Sequence, residues 1–254
     1  MEQIYIKEVK YKAKQALSGR WGIAICALVL VGAIRSGGYF IDYVLKMSTM
    51  MSAITKSSLD GAVDYASVMN DYQTPLWVSA ISIILALISI PLTVGCSKLF
   101  IGITRGHDME LSVIFEPFKN APKVVVLNIY VGILVFLQTL LFIIPGIIAA
   151  YRYALVNYIV AEDEEISITD AVKMSKELMQ GHKLQLFIMQ ISFVCWFILS
   201  LLTCGILTVA YVNPYYNAAI AEFYNEVSGK TFEIKEDPMA DDSDNTWGDG
   251  GNLY

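Results

Sequence analysis

Long apolar stretches without charged residues dominate the hydrophobic pattern of this chain. Three of them contain no Asp, Glu, Lys or Arg and cover residues 72–97, 124–151 and 184–221. A fourth, from Trp21 to Leu45, is interrupted by Arg35 and Asp42. About 20 predominantly apolar residues in a helix cross the hydrocarbon core of a bilayer. Each stretch is therefore long enough to span a membrane, and the last is long enough to cross it twice.

Composition leads to the same class of protein. Of the 254 residues, 56% are apolar and 17% are charged, whereas soluble domains average about 45 to 50% apolar and about 25% charged residues. These values exclude a disordered chain and an ordinary soluble domain. The predicted fold class is all-α, a polytopic bundle of transmembrane helices.

Two of the long stretches contain residues that break helices. Pro145 and Gly146 divide the second stretch, and Gly205 divides the third, so each is predicted to fold into a helical hairpin. The pattern predicts six spans, or five if one half-span is re-entrant. The predicted spans, within a membrane domain of residues 1–229, cover residues 21–45, 75–104, 124–144, 146–161, 184–204 and 208–226.

A weak repeat organises these spans into three hairpins, each preceded by an amphipathic helix. Apolar residues recur with helical spacing in the segments 3–18, 108–119 and 167–181, so all three are predicted to be interfacial helices on the cytoplasmic side. Ser167 and Asp170 fit a capping box at the start of the third. The same pattern would also arise without duplication, because any hairpin protein needs basic, capped entry helices.

The distribution of Lys and Arg predicts the orientation. Basic residues crowd the N-terminus and the segment 161–183, whereas the loop 46–74 holds only Lys46 and Lys56. Since cytoplasmic segments carry the excess of positive charge, both termini are predicted to be cytoplasmic, in a bacterial plasma membrane. The basic residues expected to contact anionic lipid at that surface are Lys7, Lys10, Lys14, Arg20, Lys173, Lys176 and Lys183.

Several motifs together resemble a known family. They are the run Ile144-Pro145-Gly146-Ile147-Ile148, the segment Tyr151 to Tyr158, the run Ser175 to Lys183 and the closing Ala221-Glu222-Phe223-Tyr224. This chain resembles the bacterial integral-membrane family known as domain of unknown function 975, over about residues 1–229. The resemblance implies a multi-pass membrane protein and brings no catalytic residues with it.

Polar residues inside the apolar stretches are the candidates for chemistry, because they are costly in hydrocarbon and usually face the bundle interior. Arg35 and Asp42 share a helix face, and they either form a loose pair or reach outward to the lipid head groups. Arg152 lies beside Tyr151 and Asn157. Arg152 either pairs with Glu222 of the last helix, which is the favoured interpretation, or binds an anionic head group or substrate.

No pattern of residues favours an enzyme. The two histidines, His107 and His182, have no carboxylate or cysteine at ligand spacing, so no catalytic residue, metal ligand or cofactor is predicted. The segment 230–254 holds two lysines against seven Asp and Glu residues and is predicted to be a disordered acidic tail. Such a tail could bind a basic protein partner, and its charge argues against nucleic acid.

The function predicted from these features is a non-enzymatic membrane scaffold that engages lipid or partner proteins through its cytoplasmic face. The alternative is a transporter of small solutes or lipids with a polar interior around Arg152. The two hypotheses differ in whether a ligand occupies the interior of the bundle.

Overall fold

The computed structural model describes residues 5–60 and 74–230, with the backbone alone at residues 53 and 56–60. The predicted acidic tail lies outside the described residues, apart from Lys230. All regular structure in these two ranges is helical, which confirms the all-α class. The helices are α1 (Ile6–Ala16), α2 (Trp21–Asp60), α3 (Leu76–Thr104), a 3₁₀ helix (Leu111–Asn120), α4 (Ala121–Leu141), α5 (Ile143–Arg152), α6 (Val156–Glu162), α7 (Ile168–Leu178), α8 (Lys183–Leu202), a π segment (Thr208–Val212) and α9 (Asn213–Ser228).

Three helices form the centre of the bundle. They are α3, α6 and α9, each of which lies in the second span of a predicted unit. Their side chains supply most of the buried core, and the rings of Tyr158 on α6 and Tyr224 on α9 lie 5.7 Å apart. The first helices of the units, α2, α4 and α8, expose most of their apolar residues. This arrangement is typical of a bundle whose outer helices face lipid.

The three amphipathic segments dock in a closed cycle. Each segment packs against the second helix of the preceding unit: the 3₁₀ helix on α3, α7 on α6, and α1 on α9. The buried face of α1 consists of Val9, Ala13 and Leu17. All three segments thus bury their apolar face against protein, and the approximate threefold repeat is visible in the packing as well as in the sequence.

Glycines allow two close contacts of α3, one with the 3₁₀ helix and one with α2. A Cβ atom at Gly95 of α3 would overlap the backbone carbonyl of Ile114 in the 3₁₀ helix. A Cβ atom at Gly38 of α2 would overlap the side chain of Ser82 on α3. Helix α2 continues through Gly37 and Gly38 without a break, so this glycine pair is a contact surface for α3.

The predicted turn at Pro145-Gly146 is wrong by a few residues. The chain reverses at Phe142, which is extended with φ −157°, and both Pro145 and Gly146 lie in the first turns of α5. The first four backbone N–H groups of a helix have no intrahelical partner, so a proline is tolerated there. Gly146 instead allows α5 to approach Thr139 of α4.

Details of the amphipathic segments were predicted with mixed success. Half of the predicted capping box of α7 is confirmed: Ser167 Oγ accepts a hydrogen bond from the Asp170 backbone N–H at 3.1 Å, and the Asp170 carboxylate binds the Ser167 hydroxyl at 2.6 Å instead of the Ser167 backbone N–H. The second segment is a 3₁₀ helix from Leu111 to Asn120 and not an α-helix over 108–119. It contains Pro117, which is unfavourable inside an α-helix.

Each central helix contains a proline or adjoins a segment that is not α-helical. Helix α3 contains Pro91, the chain turns at residues 153–155 between α5 and α6, and the π segment precedes α9. Five helical segments are long and apolar enough to cross a membrane: Trp21–Ser52, Leu76–Thr104, Leu111–Leu141, Ile143–Glu162 and Lys183–Leu202. The predicted sixth span corresponds to the π segment together with α9.

Candidate functional site

A polar cavity of about 540 Å³ lies where α3 faces α2, α4 and α6. A cavity of this size is within the range of small-molecule sites, which is about 300 to 1,000 Å³. The polar side chains that line it are Arg35, Tyr39, Ser82, Ser89, Thr93, Asn128 and Asn157. The sequence predicted Arg35 and Asn157 as separate candidates, and the structure brings them to one site.

Arg35 supplies the positive charge of the cavity. It lies 14 residues after Trp21, the first residue of α2, and hence about 21 Å along the helix. Among the side chains that the structure describes, no carboxylate lies within ion-pairing distance of its guanidinium. The guanidinium group is therefore available to a bound anion.

One face of α3 forms a wall of hydroxyl groups. Ser82, Ser89 and Thr93 donate to backbone carbonyls of the same helix, those of Val78, Ala86 and Ser89, over 2.7 to 2.8 Å. A hydroxyl group has one hydrogen and two lone pairs. Because each hydrogen is used within α3, this wall presents hydrogen-bond acceptors to the cavity.

Two asparagines complete the polar lining. Asn128 on α4 donates from Nδ2 to the carbonyl of Val124 over 3.0 Å, which leaves its Oδ1 atom as an acceptor and its second N–H as a donor. Asn157 lies in the first turn of α6, directly after the interruption at residues 153–155, and it is half-buried. Asn157 therefore adds a polar amide to the cavity lining.

Arg152 and Tyr151 lie away from the residues that line this cavity. Tyr151 begins a chain of hydrogen bonds: its hydroxyl group donates to Gln190 Oε1 over 2.5 Å, and Gln190 Nε2 donates to the Tyr216 hydroxyl over 2.9 Å. This chain joins α5, α8 and α9. The carbonyl oxygen of Arg152 accepts a hydrogen bond from Ser175 of α7.

The predicted ion pair between Arg152 and Glu222 is not formed. Glu222 is 2% exposed, and its Oε2 atom lies 3.3 Å from the amide of Asn225, one turn further along α9. Arg152 ends α5, which packs against α4 and α8, whereas Glu222 faces the side of α9 near α3. Asp42 pairs with Lys46 over 2.8 Å.

A polar cluster joins the other ends of the three central helices, and sequence analysis missed it. Arg105 at the end of α3 donates to Glu162 over 2.6 Å and to Asn225 over 3.0 Å. The Tyr224 hydroxyl donates to the second oxygen of Glu162 over 2.6 Å. Arg105, Glu162 and Asn225 each lie at the end of the second helix of a unit, so alignment of the three units is the signal that could have revealed the cluster.

The predicted lipid-surface residues fall into two groups. Lys7, Lys14, Lys173 and Lys176 are exposed, whereas Lys10, Arg20 and Lys183 are half-buried. Lys10 turns inward, with Nζ 4.4 Å from the centre of the Phe193 ring, and its burial lowers the pKa of the amine. Arg20 binds Asp108 over 2.7 Å. The exposed lysines stand on the outer faces of α1 and α7.

Comparison with known protein families gives one match, in the second half of the chain. The sequence profile of the family described as "Protein of unknown function (DUF975)" matches residues 124–231. This region is similar to the DUF975 family. The resemblance predicted from the sequence is confirmed over these residues, while the predicted likeness of the N-terminal part lies outside the match. The searches of curated proteins and of solved structures gave no significant match.

The DUF975 region contributes only part of the cavity. Asn128 and Asn157 lie within it, whereas Arg35 and the hydroxyl wall of α3 lie before residue 124. DUF975 is described as a family of unknown function, so the ligand has to be inferred from the residues that line the cavity.

Proposed function

We propose that this multi-pass membrane protein is non-enzymatic and engages membrane lipid from within the bilayer, with a phosphate-bearing head group in the cavity around Arg35. The orientation proposed from the basic residues places both termini in the cytoplasm of a bacterial cell. The cavity then lies in the outer half of the membrane, because Arg35 is about 21 Å from the start of α2 and the hydrocarbon core is about 30 Å thick.

The observation that carries this proposal is the position of Arg35, which faces a cavity and has no ion-pair partner in the described part of the chain. A charged side chain near the centre of a spanning helix costs about 2.5 to 3.5 kcal/mol on insertion scales. Arg35 lines a cavity that is large enough for a head group. A bound phosphate would offset that cost through charge-assisted hydrogen bonds, which arginine forms readily with phosphate oxygens.

Replacement of this charge tests the proposal. We expect the wild-type protein, extracted in gentle detergent, to retain phospholipid in native mass spectrometry, and we expect Arg35→Gln to lose it. Arg152→Gln is the matched control, because it removes another arginine of the apolar stretches outside the cavity lining. Equal retention by the wild type and Arg35→Gln, with both monodisperse in size-exclusion chromatography, would refute the proposal.

Transport of lipid or solute is a second candidate, and one observation favours it. The chain is interrupted beside the cavity at residues 153–155, just before Asn157, while α3 contains Pro91 within a continuous helix. Interrupted helices often mark the binding sites of transporters. Proteoliposomes with a fluorescent phospholipid separate the two candidates: a transporter accelerates exchange between the leaflets, and a scaffold that only binds lipid does not.

A further inference from the structure

We propose that the cavity selects phospholipids whose head groups carry hydrogen-bond donors. The phosphate group binds at Arg35, and the donors of the head group bind the oxygen atoms of the α3 hydroxyl wall. This inference rests on the proposed function and adds the chemical class of its ligand.

The hydrogen-bond directions around the cavity define that class. The hydroxyl hydrogens of Ser82, Ser89 and Thr93 all point to carbonyls of α3, at 2.8, 2.7 and 2.8 Å. Asn128 uses one of its two Nδ2 hydrogens on its own helix, and its Oδ1 atom is a further acceptor. The free lone pairs of this wall are satisfied by a ligand that donates, and the ammonium group of phosphatidylethanolamine is such a donor.

Arg35 requires hydrogen-bond acceptors on the ligand, whereas the hydroxyl wall requires donors. A guanidinium group has five N–H donors and no acceptor, so it selects an anionic acceptor such as a phosphate. Gly38 lies one helical turn after Arg35 and packs against Ser82, which places the arginine beside the outer part of the hydroxyl wall. One head group of ordinary length can therefore reach both.

The surroundings of the cavity favour a lipid over a water-soluble phosphodiester. The part of α3 next to the hydroxyl wall exposes Ile83 and Ile84, which are 61% and 55% accessible. Tyr39, at the cavity, is 81% exposed. This apolar surface can hold acyl chains while the head group occupies the cavity.

A series of phosphatidylethanolamines with zero, one, two or three N-methyl groups tests the donor requirement. All four head groups carry a phosphate and a positive nitrogen, so net charge is constant while N–H donors are removed one at a time. The purified protein is mixed with equimolar pairs of these lipids with identical acyl chains, and native mass spectrometry measures the bound fraction of each. We expect the trimethylated lipid, phosphatidylcholine, to be retained about threefold to tenfold less than phosphatidylethanolamine, as for the loss of one hydrogen bond.

Two variants make the result specific to the wall. Thr93→Val keeps the shape of the side chain and removes its oxygen, so it should reduce the preference for phosphatidylethanolamine over phosphatidylcholine. Ser89→Ala serves the same purpose if Thr93→Val fails to fold. Thr49→Val is the control, because Thr49 makes the same bond to its own helix, to the Leu45 carbonyl at 3.0 Å, but lies outside the cavity lining.

The outcomes test separately whether the cavity binds lipid and whether it requires a head group with hydrogen-bond donors. A preference for phosphatidylethanolamine that Thr93→Val weakens and Thr49→Val preserves supports the donor requirement. Equal retention of all four lipids overturns the donor requirement and leaves the proposed lipid binding intact. Retention of none of them overturns both. Displacement of bound lipid by an equal concentration of glycerophosphoethanolamine overturns the assignment to a lipid and identifies a water-soluble ligand.

Discussion

Lys12 on the first helix and Glu226 on the last helix form an ion pair, with Nζ 2.8 Å from Oε1. Burial lowers the pKa of Lys12, but hydrogen bonds to Glu226 and Glu8 outweigh this effect and raise the pKa above its ordinary value. The pair holds the two ends of the described chain at the same end of the bundle. A chain that begins and ends on one side of a membrane crosses it an even number of times.

This relationship predicts six crossings, with the π segment and α9 as the sixth. In a background without other cysteines, Lys14→Cys and Lys230→Cys should react with a membrane-impermeant maleimide from the same side of the membrane. A variant that keeps only the native Cys204 provides the contrast, because this residue lies in the turn between α8 and the π segment and is exposed. It should react only from the opposite side. Labelling of positions 14 and 230 from different sides would indicate five crossings.

Close contact between α2 and α3 at Gly38 is predicted to be required for stability and for the cavity. Gly38→Ala places a Cβ atom against Ser82 and should lower the free energy of unfolding by about 1 to 3 kcal/mol, the usual cost of overpacking. Gly32→Ala on the same helix meets no atom within 4 Å and should be neutral or slightly stabilising. Thermal unfolding in detergent measures both variants, and equal melting temperatures would contradict the prediction.

The contact at Gly95 is predicted to hold the 3₁₀ helix against α3. The obstacle to a Cβ atom there is the backbone carbonyl of Ile114, which cannot rotate away as a side chain can. Gly95→Ala should therefore expose the segment 111–120 to limited proteolysis. Gly132→Ala on α4, where nothing lies within 4 Å, is the matched control. Identical digestion patterns for the two variants would show that this contact is dispensable.

The cluster of Arg105 and Glu162 is predicted to fasten the central helices. Both side chains are 19% exposed and lie 2.6 Å apart. Glu162→Gln should lower the free energy of unfolding by about 1 to 3 kcal/mol, because it leaves Arg105 without its charged partner. A double-mutant cycle with Arg105→Gln measures the coupling between the two residues. Strictly additive effects of the two substitutions would mean that the pair contributes nothing to stability.

Local patterns in the sequence predicted much of the fold. Apolar stretches, amphipathic spacing and the Ser167 cap depend on residues that are close in the chain, so periodicity and capping signals reveal them. The turn at Phe142 was missed because Pro145 and Gly146 are favourable both in a turn and at the start of a helix. Here they start a helix.

The candidate site was predictable only in part, since it depends on how the helices are rotated about their axes. Arg35 and Asn157 were found individually as polar residues in apolar segments. That they face one cavity with Ser89 follows from the packing of four helices, which no single helix encodes. For the same reason Arg152 and Glu222, although suitable in charge, do not meet.

The cyclic docking of the amphipathic segments has a consequence for biosynthesis. Among the described helices, α1 leaves the ribosome first and its docking partner α9 leaves last. Until α9 is made, the apolar face of α1, with Val9, Ala13 and Leu17, lacks its main docking partner. During that interval we expect α1 to bind the membrane surface through its apolar face. A nascent chain that stops before α9 is left with that face uncovered, which distinguishes it from a finished molecule.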